Sequence, residues 1–145
     1  VAIEFRLILT GDLPAREVAE VVAPGAAEGR TASGSPMLSS RFDDALGYGV
    51  DIIAGHHGYY DAEDEDGSLW VWEPDRYLQV DFAMGKDALA ERGIPAMLRG
   101  VSAVLDHRPE DAALVLNANW LLLTRVGGTV RKHRQSWWQH HDLPL

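Results

Sequence analysis

The run Asp61-Ala62-Glu63-Asp64-Glu65-Asp66-Gly67 holds five carboxylates in six residues, and two kinds of chemistry use such a cluster. One is the capture of a hard cation, which needs oxygen ligands at alternating positions of a loop that turns on a glycine. With Gly67 set at the sixth position, Asp64 and Asp66 fall at the third and fifth and Glu73 at the twelfth. Ala62 then occupies the first position, where an oxygen is required, and strand-like sequence flanks the loop, so no calcium site is expected. The other chemistry is protein recognition. The carboxylates lie beside Tyr59, Tyr60, Trp70 and Trp72. A negative field speeds encounter with a basic surface, and aromatic side chains supply contact energy. The expected partner-binding residues are therefore Tyr59, Tyr60, Asp61, Glu63, Asp64, Glu65, Asp66, Trp70 and Trp72, set against the plainer reading of a solvated acidic turn.

Six histidines invite a transition-metal reading. Their spacing opposes it, because His56-His57 and His140-His141 are adjacent pairs, and neighbours on a strand point to opposite faces. No H-E-x-x-H or H-x-x-x-H pair with a nearby carboxylate occurs, so no metal and no cofactor are expected. No G-x-S-x-G elbow exists, and Gly47-Tyr48-Gly49 lacks the third glycine of a dinucleotide loop. An enzyme reading survives only as a small hydrolase pairing an Asp or Glu with His56 or His57. A ligand-sensing or assembly module is a third possibility. Arg131-Lys132-His133-Arg134 before Trp137-Trp138 has the composition of a phosphate and base-stacking surface. It equally suits a charged edge strand that discourages edge-to-edge pairing, with the tryptophans filling the sheet end.

Charge decides against nucleic acid and anionic membranes as general partners. The 145 residues carry 13 Lys plus Arg against 22 Asp plus Glu, a formal net charge of -9, so a cationic partner is expected. Residues 112–145 are the exception, with four basic side chains and one acidic. The length and the 46% hydrophobic content suit one compact domain over 1–145. There is no cysteine, which excludes disulfides and thiol catalysis. The opening Val-Ala-Ile-Glu-Phe-Arg has no basic region leading into an apolar one, and a cytoplasmic location is expected.

The elements that must position these residues follow from periodicity. Ile3, Phe5, Leu7 and Leu9 alternate with Glu4, Arg6 and Ile8 as a strand. Asp12 offers an N-cap and Pro14 a first turn to a helix with Leu13, Val18, Val21 and Val22 on one side, stopped by Pro24-Gly25. Gly29 to Gly49 reads as a connection or a ragged edge strand around Pro36–Ser40. Strands at 48–54, 69–72 and 77–84 are expected to form an antiparallel meander. A helical region beginning at Asp87 and interrupted at Gly93-Ile94-Pro95 continues through Met97, Leu98, Val101, Val104 and Leu105 to His107-Arg108-Pro109. Leu114–Leu116 and Trp120–Val126 read as strands, Val126-Gly127-Gly128-Thr129 as a tight hairpin, and Gln135–Leu145 as one amphipathic turn. Strands flanking two helices without βαβ alternation predict an α+β fold: a largely antiparallel sheet with two main helices packed on one face.

The last third of the chain also carries a resemblance. A polar Asn after an apolar strand, then Leu121-Leu122-Leu123-Thr124-Arg125, Gly127-Gly128 and Trp137-Trp138, is similar to the third type of bacterial swarm-inhibition-toxin (Sit) immunity proteins. Trp70-Val71-Trp72-Glu73-Pro74 and the N-terminal strand followed by Asp12-Leu13 share the likeness, which touches most of the chain. The resemblance implies a small cytoplasmic, non-enzymatic protein, made with a polymorphic toxin, that binds the toxin and protects its producer. It brings no catalytic residues. An acidic immunity protein suits a basic toxin such as a nuclease.

Overall fold

The computed structural model describes residues 2–42, 46–86 and 92–141. In chain order the elements are β1 (Ala2–Thr10), α1 (Ala15–Val22), β2 (Ala27–Arg30), β3 (Pro36–Phe42), β4 (Tyr48–His56), β5 (Tyr60–Glu63), β6 (Leu69–Trp72) and β7 (Arg76–Gly85). There follow α2 (Ile94–His107), β8 (Ala112–Leu116), β9 (Trp120–Val126), β10 (Thr129–Lys132) and α3 (Gln135–His140). The ten strands form one sheet in the order β2-β3-β4-β7-β1-β8-β9-β5-β6, with β10 also paired to β9. Every pairing is antiparallel except the contact of β5 with β9 at Glu63 and Trp120. The fold is α+β, as the periodicities predict.

The alternation in β1 explains the layering. Phe5, Leu7 and Leu9 join Leu78, Val80 and Phe82 of β7, Val50 and Ile52 of β4 and Leu114 of β8 in the main core. Onto that face pack Val18, Ala19 and Val22 of α1 and Met97, Leu98, Val101, Val104 and Leu105 of α2. Two details tie the helices down. The buried Tyr48 hydroxyl donates to the Val22 carbonyl at 3.0 Å, near the end of α1. The Arg125 guanidinium, also buried, donates to Leu105 O (2.7 Å), to Glu110 O (2.7 and 2.9 Å) and to Arg108 O, so it satisfies carbonyls at the C-terminal end of α2 and in the turn beyond it. Burial holds the Arg125 guanidinium below the usual arginine range, against the opposing charges of Glu110, Asp111 and Asp106. Leu123→Ala removes a side chain with no exposed surface. It should cost roughly 2–5 kcal/mol, read as a lower urea midpoint at unchanged slope.

Two expectations need correction, the meander and the Asp12 cap. The anticipated meander of strands 48–54, 69–72 and 77–84 does not form. β4 pairs with β7, and β6 lies at the far end of the sheet with β5. Period-2 alternation tells which residues share a face but not which strand is the neighbour, and the adjacent β4 and β7 are separated in sequence by a whole hairpin. Of the two readings of Gly29–Gly49, the strand around Pro36–Ser40 is the one found, as β3, although it lies inside the sheet and not at its edge. β2 and β3 form a hairpin, and β3 pairs with β4 from Met37↔Ile53 to Phe42↔Tyr48. Asp12 does not cap α1. Pro14 stands at the N-cap without a side-chain bond, and Asp12 instead accepts from Arg76 at 3.1 Å. α2 begins at Ile94 with Pro95 in its first turn, where a missing N–H is harmless. The anticipated helix start at Asp87 lies outside the described residues.

The turns behave as their residues suggest. Gly127 and Gly128 have φ of 58° and 85°, the left-handed pair that a two-residue hairpin needs. Asn117 also adopts a positive φ, 51°, and is bonded to Glu4 of β1 in both directions: its N–H donates to Glu4 O at 2.8 Å and its side-chain oxygen accepts from Glu4 N at 3.0 Å. That explains a polar residue directly after an apolar strand.

Candidate functional site

The β5–β6 hairpin leaves the face opposite the helices only partly open. Its inner residues, Tyr60 and Ala62, pack with Ile8, Ala113, Val115 and Leu121 in a second, smaller core, flanked by Trp70, Trp72 and Tyr77. Tyr60 and Tyr77 meet edge to face with ring centroids 5.5 Å apart, although β5 and β7 are not neighbours in the sheet. The sheet therefore curls, bringing the hairpin over β1 and β8. The Tyr60 hydroxyl donates to Gln79 at 2.8 Å, Gln79 donates to Asp81 at 2.9 Å, and Arg6 donates to Asp81 at 2.7 Å. Burial, with Tyr77 and Asp81 nearby, pushes the Tyr60 hydroxyl well above the usual tyrosine range. Gly58 makes room for this arrangement, since a Cβ there would lie 2.8 Å from the Tyr77 ring and 3.1 Å from the Pro74 carbonyl. Gly58→Ala should destabilise the fold by about 1–3 kcal/mol, checked by thermal unfolding.

The tip of the hairpin is pinned from the other side. β10 covers one half of β9 and the hairpin meets the other half, so the residues after β10 abut the acidic turn. The buried His133 bonds through Nδ1 to Asp64 at 2.8 Å and through Nε2 to Thr124 at 3.0 Å. Arg134 donates to Glu63 O at 2.8 Å and stacks over Trp120 at 4.1 Å from the ring centroid. Lys132 stands over Trp138, whose Nε1 donates to Leu122 O at 2.8 Å. The basic strip thus clamps a hairpin and two tryptophans. Burial alone would raise the Asp64 carboxyl. The bond from His133, the Glu65 N–H and the charges of His133 and Arg131 outweigh it and hold the group below its ordinary value of 3.8.

A depressed carboxyl stabilises the folded state fully above its unfolded value and loses that contribution as pH falls through the lower folded value. The stability gap between wild type and Asp64→Asn should therefore close as pH falls below about 4. Denaturation midpoints measured across pH 2–7 check this. Asp64, Glu65 and His133 also bring three ligand-type atoms within 4.8 Å of one another. Both ring nitrogens of His133 already have partners, so the trio reads as a latch between turn and sheet.

The nine residues nominated from sequence divide by face. Tyr60 is buried, and Trp70 and Trp72 are half-buried against the second core, with their rings 6.0 Å apart. These three fasten the hairpin. Asp64 is engaged by His133, and Asp66 turns its carboxylate to the Ser68 N–H at 2.9 Å. Tyr59, Asp61, Glu63 and Glu65 point to solvent. Opposite Asp61 and Glu63 in the ladder stand Val71 and Leu69, 45% and 69% exposed. With Tyr59 at 58%, these are three of the six large hydrophobic residues exposed among the described residues. The outer face of the hairpin is thus an apolar strip edged by Asp61, Glu63 and Glu73. Leu69 and Val71 were missed from sequence. Strand alternation marked them as opposite Trp70 and Trp72, but not which pair faces out.

Of the alternative catalytic residues, His57 does meet a carboxylate, but on the open surface and not in a cleft. His57 lies 3.4 Å from Asp75, both side chains largely exposed. His56 borders a depression of only about 90 Å³ with Asp12 and Arg76, which bond each other. No helix among the described residues is long and apolar enough to cross a membrane. No curated protein and no solved structure matches the chain. The model of one family, described as SitI3-like, does match, over residues 3–142. That span takes in both faces of the sheet and the pinned hairpin, and the chain belongs to this family, the third type of Sit immunity proteins.

Proposed function

We propose that the protein is a non-enzymatic immunity protein that binds and neutralises a cognate toxin, and that it does so through the outer face of the β5–β6 hairpin. The observation that carries the surface is the coincidence of three exposed hydrophobic residues, Tyr59, Leu69 and Val71, with Asp61, Glu63 and Glu73 on one rigid hairpin. Membership of the SitI3-like family supports the immunity role. A binding protein of this kind needs complementarity and a stiff support rather than a reactive centre. The hairpin has both: an apolar strip for contact energy, and a second core beneath it that holds the backbone still.

The carboxylates and the net charge of -9 favour a basic toxin, of which a nuclease is one example. Inhibition then needs only that the bound hairpin cover a cationic surface on which the toxin depends.

The test is co-expression. A candidate cognate toxin domain should arrest growth when produced alone and fail to do so with this chain. Purified, the two should form a stoichiometric complex whose affinity falls with salt. Growth arrest unchanged by the chain, with no complex at low salt, would overturn the reading.

A further inference from the structure

We propose that the toxin is held by strand addition: an extended, cationic segment of it pairs with the free edge of β6 and lengthens the sheet to an eleventh strand. This rests on the immunity reading and names how that contact is made.

The alternation of hydrogen bonds along the hairpin shows which backbone groups are available. Asp64 N–H donates to Ser68 O at 2.9 Å and Gly58 N–H to Pro74 O at 2.9 Å. In an antiparallel ladder the bonded pairs recur at every second position. Between these two fixed points the bonded pairs are Ala62 with Trp70 and Tyr60 with Trp72. The N–H and C=O groups of Leu69 and Val71 therefore point away from β5, to the side of β6 where the sheet ends. Their side chains lie on the outer face, so one strip offers both a main-chain template and apolar contacts. That is the pattern of peptide capture by strand addition.

The other two edges are defended in a way this one is not. β2, at the opposite end of the sheet, carries Glu28 and Arg30, and β10 carries Arg131 and Lys132, charges that discourage a further strand. The sequence of β6 is Leu-Trp-Val-Trp, with no charge and no proline inside it. What surrounds β6 selects the partner. Asp61 and Glu63 stand across the ladder from Val71 and Leu69, Glu65 and Asp66 lie in the turn before it, and Glu73 and Asp75 follow it. A second copy of the chain would bring these same carboxylates against themselves and be repelled. A strand carrying Lys or Arg on its outer face would place them beside Glu73 and within reach of Asp61 and Glu63.

The experiment is amide hydrogen exchange on this chain, alone and with the toxin domain whose growth arrest it relieves in co-expression, alongside titration of Val71→Pro. The Val71 N–H points outward, so proline there removes a donor to the incoming strand without removing a bond within the hairpin. The Leu69 and Val71 amides should exchange fast in the free protein and slow by about 100-fold or more in the complex, and Val71→Pro should bind about 30-fold more weakly at an unchanged unfolding midpoint. Should Val71→Pro fail to fold, exchange in the wild type still decides. A tight wild-type complex in which both amides remain fast overturns strand addition and leaves the immunity reading standing, and so does full affinity of a folded Val71→Pro. Absence of any wild-type complex overturns both. Slow exchange of the two amides in the free protein that depends on its concentration overturns the proposal in favour of self-pairing.

Discussion

Arg125→Met should lower the free energy of unfolding by roughly 2–4 kcal/mol, among the largest effects of any single substitution in this chain. The side chain is 6% exposed and donates to three carbonyl oxygens, those of Leu105, Arg108 and Glu110. Methionine fills similar space but leaves all three without that donor, and an acceptor left unpaired costs about 1–3 kcal/mol where water cannot replace the bond. Arg125→Lys should recover only part of the loss, because an ammonium group cannot present the planar fork that spans Leu105 O and Glu110 O together. Urea denaturation at unchanged slope measures both variants. A shift below about 0.5 kcal/mol for Arg125→Met would show that the end of α2 is held by packing alone.

The second large effect concerns recognition. Leu69→Ser combined with Val71→Ser should weaken toxin binding by about 100-fold, the scale at which a pair of central apolar contacts is lost. It should change stability far less than binding, because Leu69 is mostly exposed and Val71 nearly half exposed in the free protein. Trp70 and Trp72 should behave in the opposite way. Their truncation loosens the hairpin from the second core, so any loss of binding would come with a loss of stability. Calorimetric titration paired with thermal unfolding separates the two classes. Unchanged affinity in the serine pair would remove the outer strip from the contact.

These two predictions divide what the sequence made legible from what it did not. The alternation of β1, β4 and β7 and the helical stripes of α1 and α2 point to a helix layer on one sheet face, because most of their apolar side chains fall on one side, with Ile8 of β1 turned to the second core. The features that carry the family resemblance also have local structural reasons. Asn117 fits a left-handed turn and bonds β1, Gly127-Gly128 forms the β9–β10 turn, Arg125 ties the end of α2, and Trp138 reaches Leu122 O. They hold the scaffold and leave its recognition surface unspecified.

The site was legible only as a region. The acidic run and its aromatic neighbours mark the β5–β6 hairpin, but the facing of its side chains depends on where the hairpin docks. That is set by long-range partners: Tyr77 and Gln79 for Tyr60, His133 for Asp64, and Arg134 for the Glu63 carbonyl. None of these is close in sequence. Tyr60, Trp70 and Trp72 pack against the second core, Tyr60 buried and the tryptophans half-buried, while Leu69 and Val71 occupy the outer positions. The same docking decides the strand order, which is why a meander of sequential strands was expected and a hairpin carried to the far end of the sheet is observed.

The most direct measurement of the central claim compares two charge-matched variants against the toxin domain at low and high salt. One is Asp61→Lys with Glu63→Lys on the outer hairpin face. The other is Glu20→Lys with Asp106→Lys, at exposed positions of α1 and α2. Both change net charge equally, so a general attraction between an acidic and a basic protein affects them alike. The account predicts a loss of affinity of about 100-fold for the hairpin pair, with the salt dependence largely removed, and a small loss for the helix pair that salt abolishes. Equal losses in the two variants, or a larger loss in the helix pair, would contradict it.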